Sequence, residues 1–202
     1  ASDPASDAII IVGAHYDSTS RDSLSAPGAT DNGCGVAIVL ELARVMSQHR
    51  YNHTLMFAFW NAEENRLRGS RAYAEQAAAH STNISLYLNY DAACYDPYDR
   101  HLLDIAYNDR AGGVARLISP YNTLYGTDLA LRYDAGDTSS SDHKSFWSHG
   151  YPSIAVHSEL YGPVHTAEDT VDKASFSYAE RNARLGVSVL TDLAGLENTS
   201  AD

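Results

Sequence analysis

Two histidines and four carboxylates share one sequence context. His15 follows the apolar run Ile9–Ala14, the pair Glu63-Glu64 follows Thr54–Trp60, and Asp91 follows Ile84–Tyr90. His165 lies in a loop beyond Ser153–His157, and Asp31 sits just before a helical pattern in Gly28-Ala29-Thr30-Asp31-Asn32-Gly33. Singly, each has an ordinary explanation: a surface or core histidine among nine, a helix N-cap at Asp31, a solvated first helical turn at Glu63-Glu64. Jointly, they place metal-ligand side chains after successive strands, which chance does not often arrange. Four converging carboxylates without Lys or Arg repel one another unless they are protonated or bound to cations. A mixed His/carboxylate set suits zinc, whereas all-oxygen ligation suits calcium or magnesium. Two histidines and three carboxylates hold two ions if one carboxylate bridges, which leaves one acid free. Glu63 and Glu64 then divide into a base and a ligand, because neighbouring side chains on extended chain point apart.

Such convergence requires a scaffold that brings strand ends together. The pattern predicts strands at Ile9–Ala14, Thr54–Trp60, Ile84–Tyr90, Leu102–Tyr107, Leu129–Tyr133 and Ser153–His157. Between them it predicts helices at Gly33–Gln48, with Val36, Val39, Leu40, Ala43 and Met46 on one stripe, and at Gly69–Ala79, Arg110–Leu124, Ser141–Ser148 and Ala174–Leu196. Alternating strands and helices predict an α/β fold, a three-layer α/β/α sandwich around a mostly parallel sheet. In such sheets ligands collect beyond the C-terminal strand ends. No internal repeat or linker divides residues 1–202, so a single domain is expected, with residues 1–7 and 198–202 as loose ends.

Composition limits the partners. The chain has 202 residues, 26 acidic against 14 basic, and a formal net charge of −12. Nucleic-acid binding rests on Lys/Arg contacts to phosphate, so this balance argues against it. Runs such as Ala8 to Ala14 are too short to cross a bilayer, so no membrane partner is expected.

The motifs resemble the double-zinc aminopeptidases secreted by bacteria. The resemblance runs through Ile10-Ile11-Val12-Gly13-Ala14-His15-Tyr16-Asp17-Ser18, Pro27-Gly28-Ala29-Thr30-Asp31-Asn32-Gly33, Ala62-Glu63-Glu64 with Leu67-Arg68-Gly69-Ser70, Leu88-Asn89-Tyr90-Asp91, Ser141-Asp142-His143 and His165-Thr166-Ala167-Glu168-Asp169-Thr170. It implies the zinc-exopeptidase fold and two Zn²⁺ per chain. Asp31 would bridge the ions, His15 and Asp91 would complete one, and Glu64 and His165 the other. It also implies Glu63 as general base, Asp17 as the partner that orients His15, and a cis Asp31–Asn32 peptide. Tyr161, four residues before His165, is the candidate to assist the developing oxyanion. The implied substrates are peptides with a free N-terminus, met by a monomeric, extracellular enzyme. The family usually carries further strands before the His15 segment, so a trimmed core or a reduced member is expected.

Cys34 and Cys94 each lie three residues after a proposed ligand, and the sequence leaves open whether they pair or sit reduced. Ser141-Asp142-His143 invites a Ser/His/Asp reading, but triad members rarely lie adjacent in sequence; capping or support of a ligand fits that stretch better. The other functions in view are a one-zinc transferase of the glutaminyl cyclase type, a carboxypeptidase-type relative, and a non-catalytic ectodomain on the same scaffold.

Overall fold

A computed structural model describes residues 7–21, 24–136 and 140–197. The expected loose ends at 1–7 and 198–202 lie, Asp7 apart, outside them. Six strands form one sheet: β1 Ile9–His15, β2 Thr54–Trp60, β3 Ile84–Tyr90, β4 Leu102–Tyr107, β5 Ala130–Ala135 and β6 Ser153–Ser158, in the order β2-β1-β3-β6-β4-β5. β2, β1, β3 and β6 are mutually parallel, while β4 pairs antiparallel with β6 and parallel with β5. The four parallel strands therefore end at the same edge, and β1 feeds a chain that returns first to one side of it and then to the other. That reversal opens the crevice in which α/β sheets take ligands.

The strands sort their side chains by alternation. Ile10, Val12, Ala14, Leu86, Leu88 and Tyr90 face a core shared with helices α1 Cys34–Met46, α3 Gly112–Leu124 and α5 Phe176–Ala194. Ile11, Ala58, Trp60 and Tyr87 face a second core with α2 Arg68–Ala79 and α4 His143–Trp147. This is the expected three-layer sandwich. Among the described residues, no helix is long and apolar enough to cross a membrane.

Several element details differ from expectation for local reasons. The buried stripe of α1 is Cys34, Gly35, Ile38, Val39, Leu42 and Met46, and Leu40 is 54% exposed. Gly35 faces the sheet, and five residues further along at about 100° each Leu40 has turned to the outside. α1 ends at Met46 rather than Gln48, where the Ser47 hydroxyl and Gln48 amide donate to the carbonyl of Arg44. β5 begins at Ala130 because Asn122 takes both backbone groups of Leu129, accepting from its N–H and donating to its carbonyl. α4 is only His143–Trp147, and Asp142 does not cap it through its side chain.

Gly35 allows the start of α1 to approach β3 closely. A Cβ there would stand 2.2 Å from Asn32 Oδ1 and 2.6 Å from the carbonyl oxygen of Tyr90. Gly113, the second residue of α3, has nothing within 4 Å of such a Cβ. The two alanine substitutions should therefore differ in sign. Gly35→Ala is expected to destabilise by about 1–3 kcal/mol through overpacking, and Gly113→Ala to stabilise by about 0.4–1 kcal/mol through the unfolded chain. Thermal melts read the difference at roughly 2–4 °C per kcal/mol.

Candidate metal centre

The edge where β1, β2, β3 and β6 end carries the candidate residues. His15 is the last residue of β1 and is fully buried. Its Nδ1 meets the backbone carbonyl of Asp17 at 3.0 Å, which sets the ring so that Nε2 faces outward from the strand end. Asp31 lies in a wide turn, Ala29–Gly33, that leads into α1, and its peptide bond to Asn32 is cis. Asp91 directly follows β3. Glu63 and Glu64 follow β2, and His165 lies beyond β6 in left-handed backbone at φ 60°.

These segments bring two three-residue clusters together with Asp31 in both: His15, Asp31 and Asp91, and Asp31, Glu64 and His165. Asp31 Oδ1 is 3.1 Å from His15 Nε2, and Asp31 Oδ2 is 3.1 Å from His165 Nε2. Asp91 Oδ1 lies 3.3 Å from His15 Nε2, and Glu64 Oε2 lies 3.1 Å from His165 Nε2. Side chains sharing a tetrahedral ion at about 2.0–2.1 Å stand about 3.3 Å apart, so both clusters have the spacing of a ligand set. Glu64 Oε1 is buried without a hydrogen-bond partner, an acceptor that a cation would satisfy. The donor chemistry and the spacing thus fit a divalent ion in each cluster. A third group, Asp96, Asp99 and His101, is different in kind. The carboxylate of Asp96 is taken by the backbone N–H groups of Arg100 and His101, and the side chain of Asp99 is 85% exposed.

Other predicted residues occupy supporting places. The carboxylate of Asp17 is 3.7 Å from His15 Nδ1 and accepts instead from the backbone N–H groups of Glu63 and Glu64, at 3.0 and 3.2 Å. Asp17 therefore orients His15 through its carbonyl and the two glutamates through its side chain. Tyr161, on the chain leading to His165, is exposed, and its ring stacks on that of His157 at 5.4 Å. Asp31 does not cap α1; Asn32 Oδ1 accepts the Gly35 N–H at 3.0 Å and does so in its place. Ser141 accepts from Asn89 and hydrogen-bonds Asp91, while His143 packs edge-on against Trp147.

Two positioning residues carried no assigned role in the sequence. Asp169, buried, accepts from the N–H of Thr30 at 2.9 Å, the hydroxyl of Thr30 at 2.6 Å and the N–H of Asp31 at 3.0 Å. Asn32 donates to the carbonyl of Tyr90 at 2.8 Å and accepts from the N–H of Ala92 at 3.3 Å. Their only signal was a place inside the motifs of Asp31 and His165, which does not separate a cradle from a surface residue. The cysteines pair: a Cys34–Cys94 disulfide joins the start of α1 to the loop after Asp91.

The electrostatics follow from gathering acids in a poorly solvated place. Burial, then repulsion from Asp91, pushes Glu63 up to about 9. Burial, then Asp31, raises Glu64 to about 7. Burial raises Asp31 against the pull of His15 and His165. His15 loses charge stability through burial, yet Asp91 and Asp31 outweigh this and carry it up to about 12. Asp91 stays below the ordinary range, because His15 and Ser141 overcome its burial. In the metal-free chain, raised groups hold protons that the unfolded chain has released, so stability falls as pH rises. The Glu63 window runs from its ordinary 4.5 to about 9. Melts in chelator at pH 5, 7 and 9 should show a declining Tm, and saturating divalent metal should remove most of the slope. Asp142, raised to about 7 by burial, leaves a smaller residual slope.

Similarity to known proteins agrees with this architecture. The leucine aminopeptidase 1 of Leptosphaeria maculans is 28% identical over 210 residues, covering 94% of this chain and 53% of the relative. An aminopeptidase from Aneurinibacillus sp. strain AM-1 superposes with a TM-score of 0.81 at 30% identity, covering 97% of this chain and 46% of that one. BSAP, a zinc aminopeptidase from Bacillus subtilis, superposes with a TM-score of 0.80 at 25% identity, covering 96% and 47%. The chain thus spans about half the length of the relatives it matches. With residues 1–190 matching Peptidase family M28, from the strand that ends in His15 through the turn of Asp31 to the loop of His165, this chain belongs to that family.

Proposed function

We propose that this chain is the catalytic part of a zinc aminopeptidase that removes the N-terminal residue of peptides. The observation that carries the reading is Asp31, whose two oxygens each face a different imidazole at 3.1 Å, with a second carboxylate in each cluster. His15, Asp31 and Asp91 would hold one Zn²⁺, and Asp31, Glu64 and His165 the other. Bound there, zinc supplies a polarised scissile carbonyl and a water acidified toward pKa ~7.

The protein's own groups do the rest. Glu63 is half-buried, and Asp17 holds its backbone N–H, so its carboxyl is presented beside the clusters from a fixed start. It takes the proton of the attacking water and passes it to the leaving amine. Tyr161 offers a phenolic donor to the carbonyl oxygen as negative charge develops. The substrate's ammonium terminus is drawn to the carboxylate-rich edge, which favours removal of terminal residues over internal cleavage. The same proposal treats residues 1–202 as one catalytic domain, since every candidate ligand is delivered by one sheet. It places the protein in an oxidising compartment such as the extracellular space, where the Cys34–Cys94 bond persists.

The test uses leucine p-nitroanilide, chosen because several relatives are leucine aminopeptidases. The chain should release leucine, lose activity to a strong chelator and regain it with Zn²⁺, with about two metals per chain by elemental analysis. Glu63→Gln should retain the metal and lose about 10²–10⁴-fold in kcat. Full activity in that variant removes Glu63 from its role. One metal per chain with pyroglutamate formation points to a cyclase instead.

A further inference from the structure

We infer that the Cys34–Cys94 disulfide is a positioning crosslink for one half of the metal centre: it sets the affinity of the His15/Asp31/Asp91 cluster and leaves the Asp31/Glu64/His165 cluster largely untouched. The inference rests on the two-cluster reading above. Cys34 lies three residues after Asp31 and Cys94 three after Asp91, so the bond ties together the two segments that carry both carboxylates of one cluster. Both cysteines are buried, and their Cα atoms are 6.3 Å apart. A second tie spans the same two segments: Asn32 bonds the carbonyl of Tyr90 and the N–H of Ala92, immediately on either side of Asp91. The third member, His15, needs no such tie, because β1 is paired with β2 and β3 on its two sides.

The other cluster is held by different groups. Asp169 fixes the N–H groups of Thr30 and Asp31, Asp17 fixes that of Glu64, and the N–H of Arg21 fixes the carbonyl of His165. None of these bonds connects the α1 turn with the loop after β3. Asp31 and Asp91 stand close as like charges, their oxygens 3.1 and 3.3 Å from the same His15 Nε2, and without a cation they repel each other. A covalent tie resists that splaying and presents both oxygens to an incoming ion at lower ordering cost. The expected effect of losing it matches that of losing an outer hydrogen-bond partner of a metal site, roughly 10–100-fold in affinity.

The experiment compares the wild type, a Cys34→Ser/Cys94→Ser pair and a Cys34→Ala/Cys94→Ala pair, so that folding failure in one pair leaves the other. Co²⁺ is titrated into each metal-free protein with its visible spectrum as readout, and Zn²⁺ competition against a chromogenic chelator gives the two dissociation constants. Asp91→Asn, with the disulfide intact, identifies which equivalent belongs to its cluster. That equivalent should weaken about 10–100-fold in the cysteine pairs, the other should change less than about twofold, and circular dichroism should remain native. Adding the cysteine substitutions to Asp91→Asn should then leave the remaining equivalent unaltered. Equal weakening of both equivalents, or no change in either while Tm falls, assigns the bond to global stability and overturns the inference. A wild type that binds only one ion overturns the two-cluster reading itself, and the inference with it.

Discussion

The structure depends on one carboxylate serving two imidazoles. Asp31 presents Oδ1 to His15 and Oδ2 to His165, each at 3.1 Å, so its position must be correct on both sides at once. A surface side chain cannot meet that demand, and the surroundings of Asp31 remove its freedom stepwise. Asp169 holds the backbone on its N-terminal side through three hydrogen bonds. Asn32 holds the chain on its C-terminal side against Tyr90 and Ala92, and the missing side chain of Gly35 lets α1 follow it inward. The electrostatic consequence is unavoidable: the same burial that fixes Asp31 raises it, Glu63 and Glu64.

The sheet makes this convergence possible through direction rather than through any special strand. β2, β1, β3 and β6 run the same way, so residues that follow each of them meet at one edge. β4 and β5 run the other way and present their N-terminal ends there. The loop that enters β4, with Asp96, Asp99 and His101, therefore belongs to the same rim without belonging to either cluster. Direction brings these loops to one rim, and the two clusters draw their residues only from chain that follows β1, β2, β3 and β6.

This is also why the fold and the residues of the two candidate clusters were legible in the sequence while their supports were not. Strand runs such as Thr54–Trp60, Ile84–Tyr90 and Leu102–Tyr107 coincide with the elements, because short apolar or β-branched runs bounded by turn residues read as strands whether they are central or at an edge. The residues after them could be found by asking what each strand delivers. The expected α1 stripe has Val39 and Met46 buried and Val36 against the core but was wrong at Leu40, because periodicity fixes a spacing but not a phase, and the phase was set by the close approach of Gly35 to β3. Asp169 and Asn32 escaped because their work is on backbone atoms far away in sequence. A carboxylate that accepts from Thr30 and Asp31 has the same letter as one that faces solvent. The pairing of Cys34 with Cys94 was open for the same reason, since it depends on how closely two loops pack.

Apart from Glu63 and the fully buried Asp142, six acids withdrawn from solvent sort by what meets them. Asp169 and Asp17 accept from backbone N–H groups, which never release their protons to make room for a cation. Asp104 is matched by the guanidinium of Arg132, which stays charged at any working pH. These three acids are permanently satisfied, and their role is structural. Asp31, Asp91 and Glu64 instead face the imidazole Nε2 atoms of His15 and His165, nitrogens that bind a metal once free of a proton. An ion entering between an imidazole and a carboxylate takes the place of that proton and satisfies both groups. The distinction between the structural carboxylates of this protein and its candidate metal ligands thus lies not in the acids themselves, nor in their depth, but in whether the donor opposite them is exchangeable.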